Sequence, residues 1–509
     1  MKGTFLKKLR TTLAIVFFVA ITLLFLDLTG ALHTWFGWMA KIQFLPAVMA
    51  LNLGVIIFLA LLTLVFGRVY CSVICPMGVF QDVVSKLHVD IKKRRKNRKP
   101  FHYTKEIKWL RYGVWVLFVI AIVAGIHAFV TILAPYSAYG RIAQNIFSPV
   151  WGWVNNILAG ISEKAGGYGF YPREVWVRSL PTFIVAAVTL IVIIVLAWKG
   201  GRTYCNTICP VGTTLSFFSR FAIFRPVIDK GKCKKCRMCE NNCKASCINI
   251  SEHSIDYSRC VDCFNCIGNC RFDAIHYTLA YGKVKATDDG GKATTTAAGA
   301  DKGRRAFMTG AVAAIGASAL RAQEKKVDGG LAAIADKKVP ERKTHITPPG
   351  SLSDKNMYGH CTACQLCVAE CPNNVLRPSS SLEHFMQPES SYERGYCRPE
   401  CTRCSEVCPA GAIRKIDRYE KTSIQVGHAV WVRENCIPLT DGVECGNCSR
   451  HCPAGAIMMV PSVPEDPSSI RIPAVDESKC IGCGACENLC PARPFSAIYV
   501  EGHSVHKHI

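Results

Sequence analysis

Most of the 29 cysteines in this chain fall into six short motifs whose spacing suits iron–sulfur chemistry. Cys233-x2-Cys236-x2-Cys239-x3-Cys243 is followed by Cys260-x2-Cys263-x2-Cys266-x3-Cys270. Three thiolates two residues apart wrap one corner of a cubane, and the fourth points away, so a partner motif must supply the last ligand. One 4Fe–4S cluster is therefore assigned to Cys233, Cys236, Cys239 and Cys270, and another to Cys260, Cys263, Cys266 and Cys243. Lys244 and Arg271 stand where proline usually follows the fourth cysteine. Cys247 is left over and reads as a buried, inert thiol rather than a substitute ligand.

Four further motifs close the chain. Cys361, Cys364, Cys367 and Cys371 keep the regular spacing, as do Cys480, Cys483, Cys486 and Cys490. Cys397, Cys401, Cys404 and Cys408 have one extra residue in the first gap, and Cys436, Cys445, Cys448 and Cys452 have a loop there. They imply four more clusters, with ligands exchanged either between adjacent motifs or in a nested order. Zinc is the alternative, but structural zinc usually takes two C-x2-C pairs, and triplets with a trailing C-P are a different signature. Six 4Fe–4S clusters in series imply one-electron transfer. No C-x-x-C-H haem attachment and no glycine-rich dinucleotide loop occurs, so haem, flavin and nicotinamide are not expected.

The remaining four cysteines lie in a repeat. Gly67-Arg68-Val69-Tyr70-Cys71-Ser72-Val73-Ile74-Cys75-Pro76-Met77-Gly78 returns as Gly201-Arg202-Thr203-Tyr204-Cys205-Asn206-Thr207-Ile208-Cys209-Pro210-Val211-Gly212. Cys71, Cys75, Cys205 and Cys209 form either a single four-thiolate metal centre or two redox-active dithiols; the spacing does not choose.

These motifs need elements to hold them. Half of the 509 residues are apolar and the mean hydropathy is +0.19, too oily for an ordinary soluble protein. Thr11–Gly30, Leu45–Phe66, Tyr112–Leu133 and Leu180–Trp198 are each long enough to cross about 30 Å of hydrocarbon. Lys and Arg concentrate at the amino terminus, at Lys92–Lys99 and after Trp198, which puts both ends of the four-span unit in the cytoplasm. The net charge of +24 is read as this topology signal, not as nucleic-acid binding. Asp27 and His127 fall inside spans and are candidate proton acceptors for quinol oxidation. Arg68 and Arg202 are expected to snorkel to lipid phosphates, and His503, His506 and His508 to form a solvated end.

The expected fold is a membrane α-helical four-span bundle plus α+β ferredoxin-like iron–sulfur domains. The membrane domain is 1–225 and a cytoplasmic two-cluster ferredoxin domain is 226–282. A flexible linker covers 283–303, and 304–322 has paired arginines before a small, apolar run, like a twin-arginine signal. A second linker at 323–343 leads to a four-cluster domain at 344–509.

Residues 1–280 resemble the NapH-type membrane ferredoxins of periplasmic nitrate reduction systems, with their four spans, two C-x-x-x-C-P motifs and two cytoplasmic cluster motifs. NosR-type and MauN-type proteins share parts of that pattern. Residues 304–509 resemble the NapG/MauM-type ferredoxin. The resemblance implies a quinol dehydrogenase module of the bacterial inner membrane, taking electrons from menaquinol or ubiquinol. It also implies a periplasmic oxidoreductase or cytochrome partner, such as nitrate reductase, and use of the twin-arginine translocase. On this topology 226–303 is cytoplasmic and 323–509 periplasmic. The rival is a redox-sensing or metalloenzyme-maturation membrane protein.

Overall fold

A computed structural model describes residues 3–27, 30–94, 101–167, 169–280 and 335–509. The linker and the twin-arginine-like segment lie outside these residues. The chain divides into a larger unit of 1–151, 177–280 and 337–509 and a smaller one of 152–176 and 281–336. In the smaller, the helix that ends at Lys164 is followed by extended chain, which Asn155 Nδ2 fastens by donating to the Tyr171 carbonyl at 2.8 Å.

In the larger unit, two of the expected spans are continuous helices, Gly3–Leu26 and Leu180–Gly200, long and apolar enough to cross a bilayer by length and composition. The other two are interrupted. Leu45–Phe66 breaks into Phe44–Met49 and Leu53–Phe66, because Leu51 turns left-handed (φ 50°) and Asn52 caps the second helix by accepting from Val55 N at 3.3 Å. Tyr112–Leu133 breaks at Gly125 (φ 73°) into Lys108–Val123 and His127–Leu133.

Helix Pro135–Ile142 is buried along its whole length and runs into a π-helical turn at Ala143–Phe147. One apolar core joins helix Gly3–Leu26, both cysteine repeats, the 233–270 motifs and the 361–371 motif.

Two ferredoxin units share one plan, in which outer strands pair with each other and inner strands with each other. In the first, Phe224–Ile228 pairs antiparallel with Ile275–Leu279, and Ile248–Asn249 with Ser254–Ile255. In the last, Ile424–Trp431 pairs with Ile498–His508, and Ile457–Pro461 with Arg471–Val475. The middle unit keeps the inner pair, Leu376–Pro378 with Pro388–Ser390, and its outer pairing survives as Arg414 N donating to Gly350 O at 2.8 Å.

Two expectations change here. The histidine-rich end is an edge of the last sheet: the His503 ring stacks on His428 at 5.1 Å, and buried His506 meets Thr347 Oγ1 at 2.9 Å. The second linker is docked from Lys337, whose ammonium donates to the Glu487, Asn488 and Cys490 carbonyls at 2.6–2.9 Å.

Candidate iron–sulfur centres

Each regular motif wraps inward through two left-handed residues flanking its second cysteine. They are Lys235 and Arg237, Asp262 and Phe264, Ala363 and Gln365, and Gly482 and Gly484. A non-glycine residue there costs about 1–2 kcal/mol, and such strain collects where the surroundings over-determine a functional geometry. Of the two motifs with altered first gaps, 397–408 has no left-handed residue inside it, and 436–452 has only Gly442 (φ 65°), in its lengthened first gap and not beside a middle cysteine. Backbone amides then turn toward sulfur. Ala274 N donates to Cys270 Sγ at 3.2 Å, Val375 N to Cys371 Sγ at 3.3 Å and Ala456 N to Cys452 Sγ at 3.3 Å. Donors aimed at sulfur favour thiolate, the form that binds metal.

The cysteines gather as the exchange rule expects. Cys233, Cys236, Cys239 and Cys270 line one cavity, with Ile250, Phe272 and Ile275 around them. Cys243, Cys260, Cys263 and Cys266 line another. Cys247 shares it, its Sγ 3.5 Å from Cys243 Sγ. In the last part of the chain the grouping is adjacent, not nested. Cys361, Cys364 and Cys367 face Cys408, and Cys397 and Cys404 face Cys371 and Cys401. Cys436, Cys445, Cys448 and Cys490 line a cavity under Trp431. Cys480, Cys483 and Cys486 lie near Cys452 or its partner motif. Four converging sulfurs in apolar surroundings fit a cubane. Burial pushes the Cys239 thiol up to about 12 and Cys364 up to about 11, so these sulfurs hold charge only against a compensating cation such as iron. The groups form a series, because Cys397 N donates to Cys483 O at 2.9 Å and joins the middle unit to the last.

At the repeats the structure corrects the arginine reading. Arg68 and Arg202 are fully buried and do not reach a lipid surface. Each crosses to the opposite repeat. Arg68 Nη2 donates to Cys205 O at 3.1 Å, and Arg202 Nη1 to Cys71 O at 2.6 Å. Each also points at its own repeat's cysteine, Arg68 Nη2 to Cys71 Sγ and Arg202 Nη1 to Cys205 Sγ, both at 3.8 Å. Gly78 and Gly212 leave room for this exchange; a Cβ at Gly212 would lie 2.3 Å from Cys205 O and 2.7 Å from Arg68 Nη2. Cys71, Cys75, Cys205 and Cys209 are all buried and within electrostatic reach of one another.

Asp82 carries no local sequence signal, yet it is the hub of the charge network. It pairs with Arg202 Nε at 2.7 Å, Lys244 Nζ at 2.5 Å and Arg10. Lys421 carries no local sequence signal either. Its buried ammonium donates to Cys397 Sγ at 3.3 Å and Arg398 O at 2.5 Å. Asp27 and His127 are placed in different company. Asp27 accepts from Leu32 N at 2.8 Å and joins His33 and Glu370, the one group of three candidate ligand residues gathered within 4.8 Å among the described residues. His127 starts helix His127–Leu133, within electrostatic reach of His360.

A family model described as a 4Fe-4S binding domain matches residues 48–97 and 182–229, and one described as a 4Fe-4S dicluster domain matches 443–493. The methylamine utilization ferredoxin-type protein MauM of Paracoccus denitrificans is 32% identical over 198 residues, 37% of this chain and 82% of that protein. The chain belongs to the MauM ferredoxin-type family. MauM of Methylobacillus flagellatus is 30% identical over 154 residues, 29% of this chain, and the chain spans 64% of that relative's length. The ferredoxin-type protein NapF of Escherichia coli K12 is 26% identical over 35% of this chain and 99% of its own length. No solved structure matches. The chain is thus a ferredoxin-type iron–sulfur electron-transfer protein related to MauM and NapF.

Proposed function

We propose that this protein is a membrane-embedded quinol dehydrogenase module, passing electrons through six 4Fe–4S clusters to an oxidoreductase outside the cytoplasm. The carrying observation is the placement of cysteine groups at both ends of one apolar helix. Gly3–Leu26, at 1.5 Å per residue, is about 36 Å long. Near its start Lys7 lies against Gly268 of the 260–270 motif, and just past its end Asp27 meets Glu370 of the 361–371 motif. The helices between expose broad apolar faces, including Ile15, Leu61, Leu117, Ile120, Val188 and Ile191. Such a girdle suits lipid and not water. Two continuous and two interrupted spans then form the four-span unit, with the breaks, where Leu51–Asn52 and Ala124–Ile126 are exposed, at the water–lipid boundary rather than in the hydrocarbon.

The chemistry an iron–sulfur cluster supplies is reversible one-electron transfer. The chain's own part is to hold each set of four thiolates, to donate to their sulfurs, and to exclude water with the apolar residues around them. Asp27, with His33 beside it, and His127 are the proposed proton acceptors on the outer side. Export of 323–509 through the twin-arginine-like segment, menaquinol or ubiquinol as donor, and a reductase or cytochrome as acceptor belong to the same proposal.

A quinol analogue added to anaerobic membranes tests it. The expected result is reduction of the clusters, followed by electron paramagnetic resonance. Unreduced clusters at full iron content would favour the sensing or maturation role instead. Protease treatment of spheroplasts tests the topology: cleavage within 344–509 is expected, and full protection would defeat it.

A further inference from the structure

We propose that Cys71, Cys75, Cys205 and Cys209 together hold one further iron–sulfur cluster, the stepping stone for electrons between the inner group at Cys243, Cys260, Cys263 and Cys266 and the outer group at Cys361, Cys364, Cys367 and Cys408. The inference rests on the electron-transfer reading above and supplies what that reading lacks, a route between the two ends.

Ligand number comes first. The two stretches matching the 4Fe-4S binding model contain two cysteines each, Cys71 with Cys75 and Cys205 with Cys209. A cluster held by thiolates needs four, so the two copies must combine on one. The crossed arginines bring the copies into register for that. Sulfur spacing comes second. No three cysteine sulfurs are gathered within 4.8 Å among the described residues, whereas four thiolates on a single zinc at about 2.3 Å would lie about 3.8 Å apart. The sulfur positions therefore do not match a lone tetrahedral ion.

Charge comes third and is independent of both. Arg68 is fully buried, and its guanidinium donates to Asn206 Oδ1, the Ser258 and Cys205 carbonyls and Cys71 Sγ; the one buried carboxylate near it, Asp262, takes its hydrogen bond from the backbone amide of Arg68 and not from the guanidinium. A buried cation needs a buried anion. A cluster with four thiolates supplies that anion on the face the guanidinium presents to sulfur; four neutral thiols do not. Gln81 Nε2 donates to Cys205 Sγ at 3.2 Å, and Gly212 N to Cys209 Sγ at 3.4 Å, adding donors to sulfur.

Position makes it a relay. Inward, both repeats rest on the same cluster group. Arg68 N donates to Asp262 Oδ2 at 2.9 Å, between Cys260 and Cys263, and Arg202 N donates to Lys244 O at 2.8 Å, next to Cys243. Outward, Tyr204 lies within electrostatic reach of Cys75, Cys205, Cys209 and Arg141, and Arg141 and Tyr136 lie within reach of Cys364. Gly140 sits so close to Cys364 that a Cβ would be 2.3 Å from its carbonyl oxygen. The step is one electron taken from a reduced cluster on one side and given to an oxidised cluster on the other, with no bond or proton changed.

The test uses the full chain in sealed proteoliposomes with a membrane-impermeant, non-quinol reductant outside. In the native protein the reductant is expected to reduce clusters on both faces. In Cys75→Ser/Cys209→Ser, only clusters on the exposed face are expected to be reduced, with transfer to the other face at least 100-fold slower while the spectra of the remaining clusters persist. Equal reduction of both faces in that variant would overturn the relay. Iron and sulfide analysis of the native chain, independent of whether the variant folds, is expected to give about seven clusters' worth; six, with the four repeat thiols open to alkylation, would overturn the site. Because no quinol is used, failure of quinol oxidation leaves this result readable by itself.

Discussion

The two cysteine repeats share a twelve-residue pattern but differ just beyond it. Four residues after Gly78 stands Asp82, and four residues after Gly212 stands Ser216. Arg202 therefore has a carboxylate partner at 2.7 Å, whereas Arg68 is held by a side-chain amide, two carbonyls and a sulfur. The symmetry buries four cysteines within electrostatic reach of one another. The asymmetry divides the charge balance: both arginines hold the inner ferredoxin unit, but the guanidinium of Arg202 does so through the carboxylate of Asp82, whereas that of Arg68 does so through the Ser258 carbonyl.

Matched substitutions break or sharpen that comparison. Asp82→Asn strands Arg10, Arg202 and Lys244 and is expected to cost about 3–5 kcal/mol, seen as lost thermal stability. Ser216→Ala, at the equivalent position, removes one hydrogen bond to Thr213 O and should cost about 1 kcal/mol. Equal losses would refute the division. At the arginines, Arg68→Gln should lower the potential of the repeat centre by about 60 mV, a tenfold change for one electron, with a smaller loss of stability than Arg202→Gln. Arg202→Gln should do the reverse, destabilising more than it shifts the potential. Redox titration beside thermal unfolding separates the two.

Gly67 and Gly201 both have positive φ, so alanine at either is strained by about 1–2 kcal/mol. At Gly201 the new Cβ also meets the Lys244 carbonyl at 2.3 Å, where at Gly67 it meets the movable Asp262 carboxylate. Gly201→Ala should be the worse of the two in folded yield.

The smallest effect lies far from the repeats. Burial lowers His506 to about 4, and His503 and His508 push the same way. Above the ordinary histidine value near 6.5 His506 is neutral folded and unfolded and contributes no slope. As pH falls from about 6.5 to about 4 the unfolded chain takes up the proton first, so stability falls through that window and levels below it. His506→Gln should flatten that part of the stability curve relative to the native protein.

The sequence carries the thiolate groups well, because ligand chemistry fixes their spacing locally. Which motifs share ligands in the last domain is set by tertiary contact between helices such as Leu366–Glu370 and Arg403–Val407, and no spacing rule encodes it. Arg68 and Arg202 look like helix-end cations that reach for lipid, since the partners that bury them lie more than a hundred residues away. Asp82 sits in a mixed polar and apolar helix, Pro76–Arg94, where one acid among several polar residues gives no signal. Hydropathy averages over a window and so passes over a break made by one residue, Leu51. Gly125 is the kind of break a closer reading of backbone preferences can find.

The central claim is that these cysteines bind iron–sulfur clusters. Its most direct measurement is metal and sulfide analysis of the anaerobically isolated full chain, with electron paramagnetic resonance after reduction. The expected result is a brown protein with iron and sulfide in equal amounts and signals from several interacting clusters. A colourless protein carrying zinc and no sulfide would contradict it.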